Sequence, residues 1–208
     1  MKLTWILALL CIIGFVASVY GGEDFYNAFG FSLNNLQSNP FVLVTSIFMH
    51  GSLEHLLSNI FVLIFFGLAV ESELGKRKML LIFFLGAFAG DLLSLTVYAP
   101  DQIAVGASAG IFALIGVGML VRPIDLSFYP LVMPIPLALL GLGYALYNVY
   151  GFIVNLDPEV SYIAHFGGLF VGLAFGLRRE GWKKGLKIIT ITFLVMILIP
   201  VIWLLING

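Results

Sequence analysis

The chain has 208 residues, of which 61% are hydrophobic and 10% charged, with 10 Lys and Arg against 11 Asp and Glu. Ordinary soluble domains carry about 25% charged residues, and a mean hydropathy of +1.10 leaves more apolar surface than a water-soluble fold of this size can hide, so the composition excludes a soluble globular protein. What remains is an all-α polytopic membrane protein, and the net charge of −1 gives no reason to expect a nucleic-acid partner.

A membrane span needs roughly 20 apolar residues. Seven segments qualify, at about 3–20, 50–70, 79–98, 104–121, 131–150, 161–177 and 188–206. Gly, Asn and Pro turns or clusters of charge separate them. The first segment resembles a signal peptide with Lys2 as its basic start. Its apolar run is longer than such peptides use, and Ala17-Ser18-Val19 is a poor cleavage site, so a retained helix is expected. Cys11 is single and lies in this apolar run, which provides neither a disulfide framework nor a thiol metal site.

Residues 21–48 contain Phe25, Phe29, Phe31, Asn34, Asn35 and Asn39. They are too apolar for a solvated linker and too broken for a span. The stretch reads equally as a loop partly embedded in the outer leaflet and as a plain extracellular loop. Near the other end, residues 178–187 read as a basic linker before the last helix, either solvated or held against anionic lipid. Residues 1–178 are thus expected to form a core, and residues 179–208 a linker plus one additional transmembrane helix.

The cationic residues are Lys2, Lys76, Arg77, Lys78, Arg122, Arg178, Arg179, Lys183, Lys184 and Lys187. With the N-terminus inside, seven spans place every one of them on the cytoplasmic side. The opposite loops carry Glu23, Asp24, Asp101, Asp157 and Glu159 instead. The positive-inside rule therefore predicts N-in and C-out.

Polar groups within spans are costly and default to functional hypotheses. Here they are Glu54, His55, Asn59, Asp91, Asn148 and His165, with His50 at the start of the second span. Glu54 is close enough to the boundary to reach water, and Asp91 reads as structural. His55 and Asn59 are four apart and share a helix face. His50 and His55 would not share one unless Gly51-Ser52 breaks the helix. A metal site is not expected, because the usual i,i+4 histidine pair is lacking.

Gly106-Ala107-Ser108-Ala109-Gly110 opens the fourth span. By itself such a small-residue cluster is more often a packing face than an active site. Topology changes that weighting. Ser108, His165, and the pair His55 and Asn59 each lie in the first turns of a span that enters from outside, roughly 6–15 Å below the boundary at 1.5 Å per residue. A serine needs a base, and neutral imidazole is the usual one. His165 would take the Ser108 proton, while His55, Asn59 and the Ser108 backbone N–H would be donors to an oxyanion. No buried carboxylate stands where it would orient His165, so a dyad is expected rather than a triad. Gly168, Gly172 and Gly176 form a G-x-x-x-G-x-x-x-G face on the His165 helix, able to press it against Ala109, Ala113 and Gly116.

Together these residues resemble the rhomboid family of intramembrane serine proteases. His50, His55 and Asn59 match the family's H-x4-H-x3-N pattern; Gly106-Ala107-Ser108-Ala109 its G-x-S-x motif; Ala164-His165, Gly168 and Gly172 its A-H-x-x-G-x-x-x-G motif. The turn Gly67-Leu68-Ala69-Val70-Glu71 with Leu74-Gly75 is also similar, and the likeness covers about residues 1–178. The resemblance implies a rhomboid-like six-helix core plus one C-terminal helix. Ser108 would be the nucleophile, His165 its base, His55 and Asn59 the oxyanion lining, and His50 a support from the loop side. Residues 21–48 would be the embedded first loop and residues 151–160 a cap near the substrate gate. It further implies transmembrane protein substrates cut near the outer face, no cofactor, and residence in a lipid bilayer, with the plasma membrane of a prokaryote as the expected location.

Four positions depart from the family pattern. Ala109 stands in place of a second glycine, and Phe112 in place of a tyrosine under the histidine, which keeps ring stacking and loses a hydroxyl. Phe41-Val42 replaces a Trp-Arg pair, and Glu73 replaces an arginine. Two rival classes stay open: a non-catalytic relative that binds membrane clients, and a small transporter or channel. The latter predicts charges along a through-path, whereas these polar groups cluster at one depth.

Overall fold

A computed structural model describes residues 2–126, 133–157 and 160–207. Its helices are α1 (Leu3–Phe29), α2 (Leu33–Ser38), α3 (Val42–Phe48), α4 (Leu53–Val62), α5 (Leu68–Leu74), α6 (Lys76–Ser94), α7 (Ser108–Val121), α8 (Leu137–Val154), α9 (Tyr162–Glu180) and α10 (Trp182–Asn207). A π-helical turn, Leu63–Gly67, joins α4 to α5, so these three form one continuous rod. Backbone pairing between Phe31 and Ala104 and between Asp125 and Ile135 is limited to isolated bridges. The protein is all-α and polytopic. Four helical rods are long and apolar enough to cross a membrane: α1, the Leu53–Leu74 rod, α8 and α10. Helix α7 is apolar but shorter, while α6 and α9 carry charged residues at their ends.

Helix α7 is the centre of the fold, with every residue from Ala109 to Leu120 buried. Small residues let its neighbours come close. A side chain at Gly168 or Gly172 of α9 would run into the carbonyl oxygens of Ala109 and Ala113. On the other flank, Gly86 and Gly90 of α6 face Ala113 and Ala109. These contacts make α9 parallel to α7 and α6 antiparallel to both. The close approach gains dispersion contact where lipid offers no hydrophobic driving force between helices.

Helix α1 runs against the α4–α5 rod and is kinked at Gly22, whose φ of 65° is open to glycine and strained for other residues. Its first turn is closed by Glu71. The Leu3 and Thr4 backbone N–H groups donate to the two carboxylate oxygens at 2.9 Å each, and Thr4 Oγ1 donates at 2.7 Å. A helix start leaves its first N–H groups without partners in the helix and favours negative charge, and Glu71 answers both. Lys2 Nζ donates to Ser72 Oγ at 2.8 Å. Lys2, the Lys76–Lys78 start of α6, Arg122 after α7 and Arg178–Arg179 at the end of α9 therefore gather at one end of the helix bundle.

The structure differs from the expected spans in several places, each with a local cause. Residues 21–48 are largely helical, holding the end of α1, α2 and α3. The second rod begins at Leu53, because the Ser52 hydroxyl accepts from the His55 N–H at 3.1 Å and caps the helix there. The fourth rod begins at Ser108, because Gly106 takes a φ of 122°. Residues 178–187 form no linker: Arg178 and Arg179 finish α9, Gly181 makes the break with a φ of 84°, and Lys183, Lys184 and Lys187 lie in α10. Long basic side chains are good helix formers, which composition alone does not separate from a solvated linker. The expected start of the fifth span at residues 131–132, and positions 158–159 of the expected cap, lie outside the described residues.

Candidate active site

The loop ahead of α7 is held by backbone hydrogen bonds rather than by helix. Phe31 and Ala104 exchange N–H···O bonds at 2.9 and 2.8 Å, and Gly106 N–H donates to Ser46 O at 2.9 Å. Non-helical backbone at membrane depth is tolerated where protein covers it or where it lines a cavity, and both conditions hold here. Ser108 is the first residue of α7. Its own N–H has no partner within the helix, and the helix dipole favours negative charge beside it.

Ser108 Oγ lies 2.9 Å from His165 Nε2. Parallel packing of α9 on α7 through Gly168 produces this approach. Phe112, one turn along α7 from Ser108, stacks on the imidazole with ring centroids 4.3 Å apart and planes 11° from parallel. Tyr162 meets the same ring edge-on at 6.2 Å. The other ring nitrogen, Nδ1, lies 2.8 Å from Asn148 Oδ1, and Asn148 Nδ2 donates to Tyr162 O at 3.1 Å. Asn148 is 1% exposed and His165 9% exposed, so both are nearly cut off from water.

His50 lies outside the capped α4 helix, which brings its ring to 5.0 Å from that of His55. Its Nδ1 faces Phe48 O at 3.3 Å, and its Nε2 accepts from Asn59 Nδ2 at 3.0 Å. Asn59 thus has one amide N–H committed to His50, and its amide carries a second. Gly106 sits against the His55 ring, where a Cβ would approach Cε1 to 2.8 Å. Its φ and this contact both require glycine.

These groups line one cavity of about 920 Å3 that includes Ser52, His55, Asn59, Ser108, Asn148 and His165. The structure therefore brings Ser108, His165, His55, Asn59 and Phe112 into one site, with His50 behind Asn59 and Gly106, Gly168 and Gly172 at the close approaches. Glu54 is exposed in the first turn of α4 and also lines this cavity. Asp91 Oδ2 is buried, with no hydrogen-bond partner among the described residues.

Asn148 occupies the place beside His165 Nδ1 for which the sequence offers no carboxylate. The signal was present, since it is an amide in the middle of an apolar helix. An orienting group for imidazole needs only an acceptor, and an amide oxygen is one.

Residues 37–182 match the rhomboid domain, and the chain belongs to the rhomboid family. It is 28% identical over 147 residues to RHOMBOID-like protein 6, mitochondrial, of Arabidopsis thaliana, covering 68% of this chain and 46% of that protein. With Rhomboid-like protease 2 of Toxoplasma gondii it shares 29% identity over 135 residues, covering 65% and 46%. With Rhomboid-like protein 11, chloroplastic, of Arabidopsis thaliana it shares 29% over 170 residues, covering 74% and 59%. The chain thus spans about half the length of these relatives. Family and apolar helices together define an integral, multi-pass membrane protein.

Proposed function

We propose that this chain is an intramembrane serine endopeptidase that cuts transmembrane protein substrates near the outer membrane face. The observation that carries the reading is the 2.9 Å contact between Ser108 Oγ and His165 Nε2 inside a cavity lined by further polar groups. A hydroxyl donating to an imidazole nitrogen is the ground state of a nucleophile beside its base. Ser108 Oγ attacks the peptide carbonyl as its proton passes to Nε2. The tetrahedral oxyanion is met by the Ser108 N–H, by His55 and by Asn59. Collapse expels the amine, which takes the proton from His165, and leaves an acyl-enzyme. A water activated by His165 then attacks the ester and releases Ser108. Losing one oxyanion donor costs roughly 10²–10³ in rate.

The gathering of Lys and Arg at the opposite end of the bundle supports a cavity that faces outward, and we assign the plasma membrane of a prokaryote as its location. The substrate helix unwinds locally to enter, because a helical carbonyl is already hydrogen-bonded. Purified wild type and Ser108→Ala are compared on a model transmembrane substrate, with the cut site mapped by mass. Cleavage by wild type alone supports the assignment. Cleavage by Ser108→Ala, or binding of substrate without cleavage by wild type, overturns it, and the latter outcome is that of a non-catalytic family member.

A further inference from the structure

We propose that Asn148 is the positioning residue that selects the His165 tautomer needed for proton abstraction; this rests on the protease reading above. A neutral imidazole carries its proton on one nitrogen only, and it is a base toward Ser108 only when that proton is on Nδ1. The hydrogen bond made by the nitrogen away from the nucleophile decides the matter, and here that partner is Asn148 Oδ1 at 2.8 Å.

An amide can turn about its own axis and exchange donor for acceptor, so the contact alone does not select a tautomer. The second contact does. Asn148 Nδ2 donates to the Tyr162 carbonyl at 3.1 Å. Turning the amide over would set Oδ1 against that carbonyl, two acceptors face to face in a site where Asn148 is 1% exposed. Burying a polar group without a hydrogen-bond partner is costly, so the orientation that satisfies both contacts is favoured. Tyr162 belongs to the first turn of α9, the helix that carries His165, so the acceptor and the ring it serves keep register with each other.

Phe112 against the ring face and Tyr162 at its edge leave the imidazole little freedom to rotate and present Nε2 elsewhere. The described side-chain partner of Asn59 is His50 rather than His165. The result is a neutral counterpart of the carboxylate in a Ser-His-Asp triad. It holds the tautomer without burying a full negative charge among apolar helices, where ionised groups are expensive.

The test combines a measurement on His165 with one on Ser108. Histidine labelled with 15N in the detergent-purified full chain, assigned by comparison with His165→Ala, is expected to show a protonated Nδ1 and an unprotonated Nε2. In Asn148→Leu, similar in volume but unable to accept, that preference disappears. Labelling of Ser108 by a fluorophosphonate then slows by about 10²-fold, the scale of a misplaced catalytic group, and kcat falls with KM unchanged. Asn148→Asp keeps an acceptor for Nδ1–H and loses less than Asn148→Leu. A protonated Nε2 in wild type, or a folded Asn148→Leu that labels at the wild-type rate, overturns the proposal. If Asn148→Leu does not fold, the wild-type tautomer decides alone. A wild-type chain that no fluorophosphonate labels overturns the protease reading, whereas the tautomer still decides what Asn148 does.

Discussion

Phe112 lies flat on the His165 imidazole, 11° from parallel at a centroid distance of 4.3 Å. The stack joins α7, which carries Ser108, to α9, which carries His165. Aromatic pairs of this kind contribute about 0.5–1.5 kcal/mol beyond their area. Phe112→Leu, which keeps most of the volume, is expected to lower kcat by roughly tenfold, the rate equivalent of about 1.4 kcal/mol. Phe112→Tyr keeps the stack and the rate. Steady-state cleavage of a model substrate by the two variants checks both.

Two glycines predict opposite outcomes for the same substitution. Gly168→Ala drives a methyl group into the Ala109 carbonyl, which is backbone and cannot swing aside, and overpacking of this kind costs about 1–3 kcal/mol. Gly143 of α8 has open space where a Cβ would go, and there Ala improves the helix by up to about 1 kcal/mol. Thermal unfolding in detergent should fall for the first and hold or rise for the second. Gly168→Ala should also slow fluorophosphonate labelling, because it moves His165 away from Ser108.

Glu71 accepts three hydrogen bonds from the first turn of α1 and is 3% exposed. Glu71→Gln removes the charge and turns one of its acceptors into a donor facing another donor. Hydrogen bonds to a charged group contribute about 1.5–3 kcal/mol, so a loss of roughly that size is expected in unfolding experiments. The serine lies at the other end of the bundle, and its labelling rate in the folded fraction should be unchanged.

In α10, only Gly185 and Thr192 are buried among the described residues. A chain ending at Gly181 should insert, fold and label at Ser108. Loss of labelling in the shortened chain would show that α10 supports the site through its contacts with α8 and α9.

The site was legible to the extent that its chemistry follows from residue type and depth. Ser108, His165, His55 and Asn59 are polar where the chain pays for polarity, and each begins a rod entering from the same side. The partner of His165 was not legible, because Asn148 comes from an antiparallel helix and its reach depends on how α8 packs. Spans were readable as apolar length, but their starts were not. Val105 and Ala107 fit a helix well, and it is the φ of 122° at Gly106 that delays α7 to Ser108. Residues 178–187 failed for the opposite reason, since charge density marks the membrane boundary and says nothing about whether the helix stops there.

The bonds that hold the site have very unequal reach along the chain. His165 meets Asn148 across 17 residues and Ser108 across 57, while the loop before Ser108 is tied to Phe31 and Ser46, which precede it. Synthesis runs from the N-terminus, so a bond becomes possible only once its later partner has been made. A chain still being synthesised can therefore insert α1 through α7 and fix its serine loop before α9 exists. Until α9 docks, Ser108 lacks its His165 partner. On the proposed protease reading, the newly made protein is thus chemically silent during its own assembly, and competence to cut would arrive in one step with the helix that completes the core.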